Sequence, residues 1–217
     1  MTQEQMIKLS YSSLNMIHQA SHNWLNKQMG FKPEERPEWK RGKEIHRIVQ
    51  DHLSGKKPDK RFAHIKYKFP IVEEVDFDSR CKFEFPIKTS TGNDYLIRGY
   101  YDGIDLKEGR FLEIKSGDPL WSIGKFQKAM QRKLYALSNK KLKEAVLVTL
   151  SKDEDKWKKQ PAKVYKIDIT PKDYADVTKW IFDGIGMIES GKFDGGLDEN
   201  GKCTDKWCYF GNNCQFK

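Results

Sequence analysis

The chain has 217 residues, with 40 Lys and Arg against 31 Asp and Glu and a formal net charge of +9. That length suits one well-buried core, and the surplus of cations favours a polyanionic partner, although charge alone is equally that of a lysine-rich solvated surface. No apolar run approaches a membrane span or a signal-peptide core, so a soluble chain in the reducing cytoplasm of a bacterial or phage-infected cell is expected, without disulfides.

In chain order, Leu14, Ile17, Ala20, Trp24 and Leu25 recur at helical spacing behind Ser10 or Ser12 as N-cap, and predict a first helix ending near Gly30. A second helix follows Pro37, with Gly42, Ile45, His46, Val49 and Leu53 on one stripe and Ser54 and Gly55 as its stop; His46 falls on the buried side. A basic loop over 56–61 leads into 62–75, whose weak alternation suggests a strand. Cys81, Phe83, Phe85 and Ile87 then alternate with Arg80, Lys82 and Glu84, as in a half-buried strand. Turns at 91–93 and 107–109 lead into 95–104 and 111–115, giving a three-strand meander. Ile123, Phe126, Met130, Leu134 and Leu137 predict one amphipathic helix, with Gln127, Gln131 and Tyr135 on its neighbouring edge. With the apolar run 145–150 behind it, this helix reads as a crossover covering one sheet face. Residues 152–163 read as an exposed loop. Tyr165, Ile167 and Ile169 form a further strand, and Thr170, Pro171 and Asp173 open a capped helix that runs to about Ser190.

The chemistry concentrates at Glu113-Ile114-Lys115, with Asp102 eleven residues upstream between Tyr101 and Gly103. Side chains two apart on a strand share a face, so Glu113 and Lys115 point together while Leu112 and Ile114 fill the other side. Two carboxylates on paired strands suit a hard cation, and a lysine beside them suits a scissile phosphate or a hydroxide, as phosphodiester hydrolysis requires. Each piece has an ordinary alternative. An isolated Glu-x-Lys is usually a surface ion pair, a histidine on an apolar helix face is commonly a satisfied core residue, and Glu84 and Tyr135 suit a solvent-facing acid and edge packing. Tyr100, Tyr101 and Trp121 suit either base stacking or core packing.

Taken together, His46 behind Gly42, Glu84, Asp102, Glu113-x-Lys115 and Gln131-x3-Tyr135 form an ordered set that resembles the RecB-like branch of the PD-(D/E)xK nucleases. The resemblance implies an α/β restriction-endonuclease-like core, a central mixed β-sheet flanked by helices. It assigns His46, Asp102, Glu113, Ile114 and Glu84 to a Mg2+ or Mn2+ site. Lys115, Asp102, Glu113, Gln131 and Tyr135 become the catalytic set. It further implies a DNA exonuclease of replication, recombination or repair, acting on single-stranded or frayed ends, with a flap endonuclease or a non-catalytic nucleic-acid-binding accessory as alternatives.

Beyond a nuclease domain over 1–190, residues 191–217 form a cysteine-containing tail with no apolar core, expected to pack on the N-terminal helix or to be ordered by metal. Cys203, Cys208 and Cys214 resemble the closing cysteines of the iron–sulfur clamp found in the CRISPR adaptation nucleases and AddAB-type subunits. The N-terminal cysteine of that clamp is missing: its place falls near Ala20, Ser21 and His22. A Cys3His zinc site completed by His22 or His18, an iron–sulfur cluster, and a tail without metal all remain open. Cys81, in step with Phe83 and Phe85, reads as core.

Overall fold

The structure is a computed structural model that describes residues 6–33, 36–72, 79–193, 195–204 and 210–216. Its largest element is a mixed five-stranded sheet, β2-β5-β6-β7-β8, built from β2 (Ile71–Val72), β5 (Gly103–Asp105), β6 (Arg110–Ser116), β7 (Glu144–Leu150) and β8 (Lys163–Asp168). A smaller sheet, β1-β4-β3, combines β1 (Ile7–Leu9), β4 (Asp94–Tyr100) and β3 (Lys82–Lys88). The helices are α1 (Tyr11–Gln28), α2 (Pro37–Ser54), α3 (Ile123–Lys128), α4 (Met130–Leu137) and α5 (Pro171–Ser190).

Strands β6 and β7 are buried on both sides, which is why they read as apolar runs. Phe111, Ala145 and Leu147 pack with Leu14, Leu134, Val177, Ile181 and Ile185, the apolar stripes of α1, α4 and α5. Leu112, Ile114, Val146, Val148 and Leu150 face the other way, onto Ile45, Val49 and Leu53 of α2 and onto Phe62, Ile65 and Phe69. Each of the larger of these side chains, Ala145 excepted, contributes roughly 1.5–3 kcal/mol on burial, so both faces of the sheet are firmly covered. The parallel β6–β7 pair is bridged by α3 and α4 as the expected crossover. The caps also agree with the sequence: the Ser10 hydroxyl accepts from the Ser13 N–H, Gly55 ends α2 at φ 81°, and Thr170 and Asp173 form a reciprocal capping box.

Several elements differ from expectation. The meander is divided: β3 and β4 pair in the small sheet, the chain leaves it at Tyr101 and Asp102, and β5 begins in the large one. The helix expected over 122–137 is broken at Ala129 (ψ 120°). Arg132 explains the break, because its guanidinium donates to the carbonyls of Phe126 (3.3 Å) and Gln127 (2.9 Å) and so satisfies acceptors freed there. Of 62–75, only Ile71–Val72 is strand among the described residues; Phe62, Ile65 and Phe69 are buried from irregular chain. The loop 152–163 is not simply exposed, since Trp157 is buried and donates to the Ser151 carbonyl at 2.8 Å. Strand β1, parallel to β4, has no counterpart in the pattern analysis.

Candidate active site

Glu113 and Lys115 project from β6 on the same side as Phe111, toward α1 and α4. Asp102 sits just ahead of β5, at the edge where β6 runs on beyond its partner. Its Oδ2 accepts the Ile114 N–H at 2.6 Å, replacing the main-chain partner that β5 no longer supplies. The N–H and C=O of one strand residue point to the same edge. The Ile114 carbonyl is therefore directed to the edge that Asp102 occupies, while its side chain is in the core. From the opposite sheet face α2 brings His46, whose Nδ1 is 3.4 Å from Asp102 Oδ1. One turn later, Gln50 donates to the Asp102 carbonyl at 2.9 Å.

Lys115 Nζ lies 2.5 Å from Glu113 Oε1 and donates to Gln131 Oε1 at 2.8 Å; the Gln131 amide in turn donates to the Tyr135 hydroxyl at 3.0 Å. The sequence-derived set of Lys115, Asp102, Glu113, Gln131, Tyr135 and His46 is thus one connected cluster. Glu84 is outside it. It stands on the exposed side of β3, in the small sheet, and pairs with Lys82 at 2.7 Å. Alternation along a strand revealed its face, but not that β3 would join a different sheet. Tyr101 is also removed from any stacking role, being buried in the core and bonded to Ser138. Trp121 stays beside the cluster, with Lys115 Nζ 5.3 Å and Lys125 Nζ 4.3 Å from its ring.

The electrostatics follow from burial. Desolvation raises the Glu113 pKa to about 7, with the Asp102 charge adding to the rise and Lys115 opposing it. Burial also works against ionisation of Asp102, but His46 and the Ile114 N–H outweigh it and its pKa is lowered. For Lys115 desolvation is again the largest influence and acts downward; Glu113 and Asp102 overcome it, so the ammonium is favoured. His46 is raised for the same reason, desolvation being outweighed by Asp102. Glu113 is 2 % exposed, and its Oε2 is a buried oxygen without a hydrogen-bond partner. Leaving such an atom unpaired costs about 1–3 kcal/mol, so a ligand for it is physically favoured.

Outside the buried cluster, a cleft of ≈ 290 Å³ is lined by Glu38, Trp39, Gly42, Lys43, His46, Lys115, Ser116 and Lys152. Most of this wall was not singled out from sequence. Gln50 was detectable, as a polar residue at i+4 from His46 on an otherwise apolar stripe. Tyr11 was also missed: burial raises its pKa, Lys115 lowers it and Glu113 raises it, which places its phenol in the field of the cluster.

A family model described as the PD-(D/E)XK nuclease superfamily matches residues 57–215, well over half of the chain. The chain belongs to the PD-(D/E)XK nuclease superfamily. The match gives nuclease activity its support, and the superfamily's divalent-metal chemistry suits the donor set of Asp102 and Glu113. Among solved structures, the fold of this chain is similar to that of the crystal structure of SSO0001, at 17% identity and TM-score 0.59 over 98% of this chain and 88% of that one. It is similar also to that of LHK-Exo in complex with dAMP, at 12% identity and TM-score 0.52 over 85% of this chain and 89% of that one. A second structure of LHK-Exo, an alkaline exonuclease from Laribacter hongkongensis, matches at 10% identity and TM-score 0.49 over 85% and 89% of the two chains. No curated protein matches. No helix among the described residues is long and apolar enough to cross a membrane.

A second cluster lies between α1 and the C-terminal residues. Ligand atoms of His22, Cys203 and Cys214 lie within 4.8 Å of one another. Cys208 falls outside the described residues. The His22 Nδ1 is 2.8 Å from the Gly195 carbonyl, and its Nε2 is buried without a partner. A carbonyl only accepts, so Nδ1 carries the proton and Nε2 presents a lone pair, the tautomer of a metal ligand. His18 is directed elsewhere: it stacks on Trp180 at 4.8 Å and its Nε2 meets the Trp180 carbonyl at 2.8 Å. Trp24, Met16 and Ile17 pack with Phe210 and Cys214 around this point, and Asn26 donates to Cys214 Sγ at 3.2 Å.

Proposed function

We propose that the chain is a Mg2+- or Mn2+-dependent deoxyribonuclease of the RecB-like kind, an exonuclease that shortens single-stranded or frayed DNA ends during replication, recombination or repair. The observation that carries this reading is the buried Asp102–Glu113 pair with an unpartnered Glu113 oxygen, set against an ammonium held in place from two sides.

The residues fit a hard divalent cation. Asp102 and Glu113 supply carboxylate oxygens, the Ile114 carbonyl points to the same edge, and His46 stands against Asp102. A cation held there supplies positive charge and Lewis acidity toward a phosphodiester. The remaining work falls to the chain itself. Lys115 has three N–H donors; Glu113 and Gln131 engage two. The third is available to a non-bridging phosphate oxygen, where charge grows as the bond breaks. Gln131, itself held by Tyr135, fixes the direction of that donor, while Gln50 and His46 hold Asp102 in its rotamer. The site lies at the foot of an open cleft, which suits a chain end or an unpaired strand more than an intact duplex.

For the C-terminal cluster we propose a structural zinc that His22, Cys203 and Cys214 would hold, with Cys208, outside the described residues, as the candidate that would complete a Cys3His set. Zinc is preferred to the iron–sulfur cluster of the clamp that the cysteine spacing resembles, because the imidazole of His22 joins the cluster near the place where that clamp has its N-terminal cysteine.

The nuclease reading is tested with end-labelled linear and covalently closed circular DNA, single- and double-stranded, under Mg2+, Mn2+ or EDTA. Metal-dependent loss of linear single strands with circles spared is expected. Nicked circles would replace the exonuclease by an endonuclease, and no cutting under any metal would leave a binding accessory.

A further inference from the structure

Helix α2 carries His46 inward, and its outer ridge connects the active-site cleft to a second, larger groove. Trp39, Lys43, Arg47 and Asp51 are spaced four apart, so they stand one above another along the helix. The first three are exposed. Trp39, a large aromatic at 37 % exposure with the Arg36 guanidinium 5.8 Å from its ring, lines the active-site cleft together with Lys43. Arg47 and Asp51 line the neighbouring groove, ≈ 500 Å³, with Ile48, Lys57, Pro58, Asp59, Lys60 and Arg61. From Trp39 to Arg47 the helix rises about 12 Å, enough for several nucleotide steps. Hydrogen bonds also link the two openings: Glu154 binds Arg41 of α2 and Arg61 of the groove at 2.5 Å each, and Arg41 donates to the carbonyl of Lys152, which lines the cleft.

Charge along this ridge is unspent. Of the groove's four cations, Arg61 is taken up by Asp59 and Glu154. Among the described residues no carboxylate pairs with Lys43, Arg47, Lys57 or Lys60, although Asp51 lies in the same lining. An exposed aromatic followed by a row of unpaired cations has the composition of a single-strand binding surface, where bases stack and phosphates are neutralised in turn.

We propose that the outer ridge of α2 and the 57–61 loop form a single-stranded DNA track. A base next to the scissile bond stacks on Trp39, and successive phosphates lie against Lys43, Arg47, Lys57 and Lys60. The proposal rests on the nuclease reading above for the identity of the strand, and it deepens that reading by placing the substrate beyond the reacting phosphate.

The test compares wild type with Arg47→Ala/Lys57→Ala/Lys60→Ala, with Trp39→Ala and Trp39→Phe, and with Lys140→Ala/Lys141→Ala at the opposite end of β6. Binding of a 15-nucleotide single strand in EDTA is titrated from about 50 to 200 mM salt, with thermal melting as the fold control. Loss of three phosphate contacts should flatten the slope of log K against log salt by about 2. The Lys140/Lys141 variant should leave the slope as in wild type. Trp39→Ala should weaken binding by at least about fivefold, with Trp39→Phe restoring most of it. In cleavage, KM for the 15-mer should rise in the triple variant far more than KM for a trinucleotide. A wild-type slope in the folded triple variant, or an equal loss in the Lys140/Lys141 variant, would overturn the track. If wild type cuts nothing with any divalent metal yet the triple variant loses the slope, the nuclease reading fails and the track stands.

Discussion

In the proposed reaction Glu113 is the residue on which the chemistry turns, because the β6 register buries it and its neighbours leave one oxygen unsatisfied. Glu113→Gln keeps the shape and removes the charge, and Asp102→Asn does the same to its partner. Each is expected to lower cleavage by about a thousandfold or more, measured as single-turnover rate, with the melting temperature raised or unchanged in Glu113→Gln, where burial disfavours the charge, and lowered in Asp102→Asn, where His46 and the Ile114 N–H favour it. Lys115→Ala should lose roughly 10²–10³ in rate while the protein still binds DNA. Gln131→Ala acts through Lys115 and should cost about tenfold, largely recovered in Gln131→Glu, which can still accept the Lys115 proton.

At the scale of elements, the crossover depends on one buried ion pair. Arg132 of α4 reaches Asp173 at the start of α5, at 2.5 and 3.2 Å, and spends its remaining donors on the broken turn at Ala129. Asp173→Ala strands that guanidinium and should destabilise the fold by roughly 3–5 kcal/mol, read by denaturant titration. Burial alone would raise the Asp173 pKa, but hydrogen bonds from Arg132 and Thr170 hold it below the ordinary 3.8. A depressed carboxylate adds stability above its unfolded pKa and loses it as pH falls through the folded value. The stability gap between wild type and Asp173→Asn should therefore be full at neutral pH and close only below about pH 4; a gap independent of pH would contradict this role. The same residues show what was readable in advance. The capping box at Thr170 and Asp173 is a local pattern and was visible; the Ala129 break was not, because Arg132 causes it through atoms of α3 and α5. The shared face of Glu113 and Lys115 was legible from strand alternation and that of His46 from a helical stripe, since those periods fix faces, whereas Asp102 stood out only by its place in a turn eleven residues before Glu113. Which sheet a strand joins is decided by non-local pairing. That is why Glu84 was placed beside a site it does not reach, and why the three-residue β1 was missed.

Across the whole molecule, the described part of residues 191–216 is fixed to α1 by small contacts: Ser21 and His22 to Gly195, Asn26 to Cys214, and the packing of Trp24 on Phe193. A zinc there would contribute stability that the apolar contacts cannot match. Purified protein should carry one zinc per chain by elemental analysis. His22→Ala and Cys214→Ser should lose it, with a lower melting temperature but intact catalytic residues; full zinc content in both variants would contradict the assignment. The +9 net charge acts at this scale too, favouring encounter with a polyanion such as the proposed DNA substrate in a salt-dependent way that no single residue accounts for.

The central claim is that the Asp102–Glu113–Lys115 cluster cuts DNA with a divalent cation. Its most direct test is single-turnover cleavage of an end-labelled linear strand titrated with Mg2+ and Mn2+, for wild type and Glu113→Gln, alongside binding of the same strand in EDTA. Metal-dependent cutting by wild type, its loss in Glu113→Gln and equal binding by both are the predicted result. Cutting that survives Glu113→Gln, or that proceeds in EDTA, would contradict it.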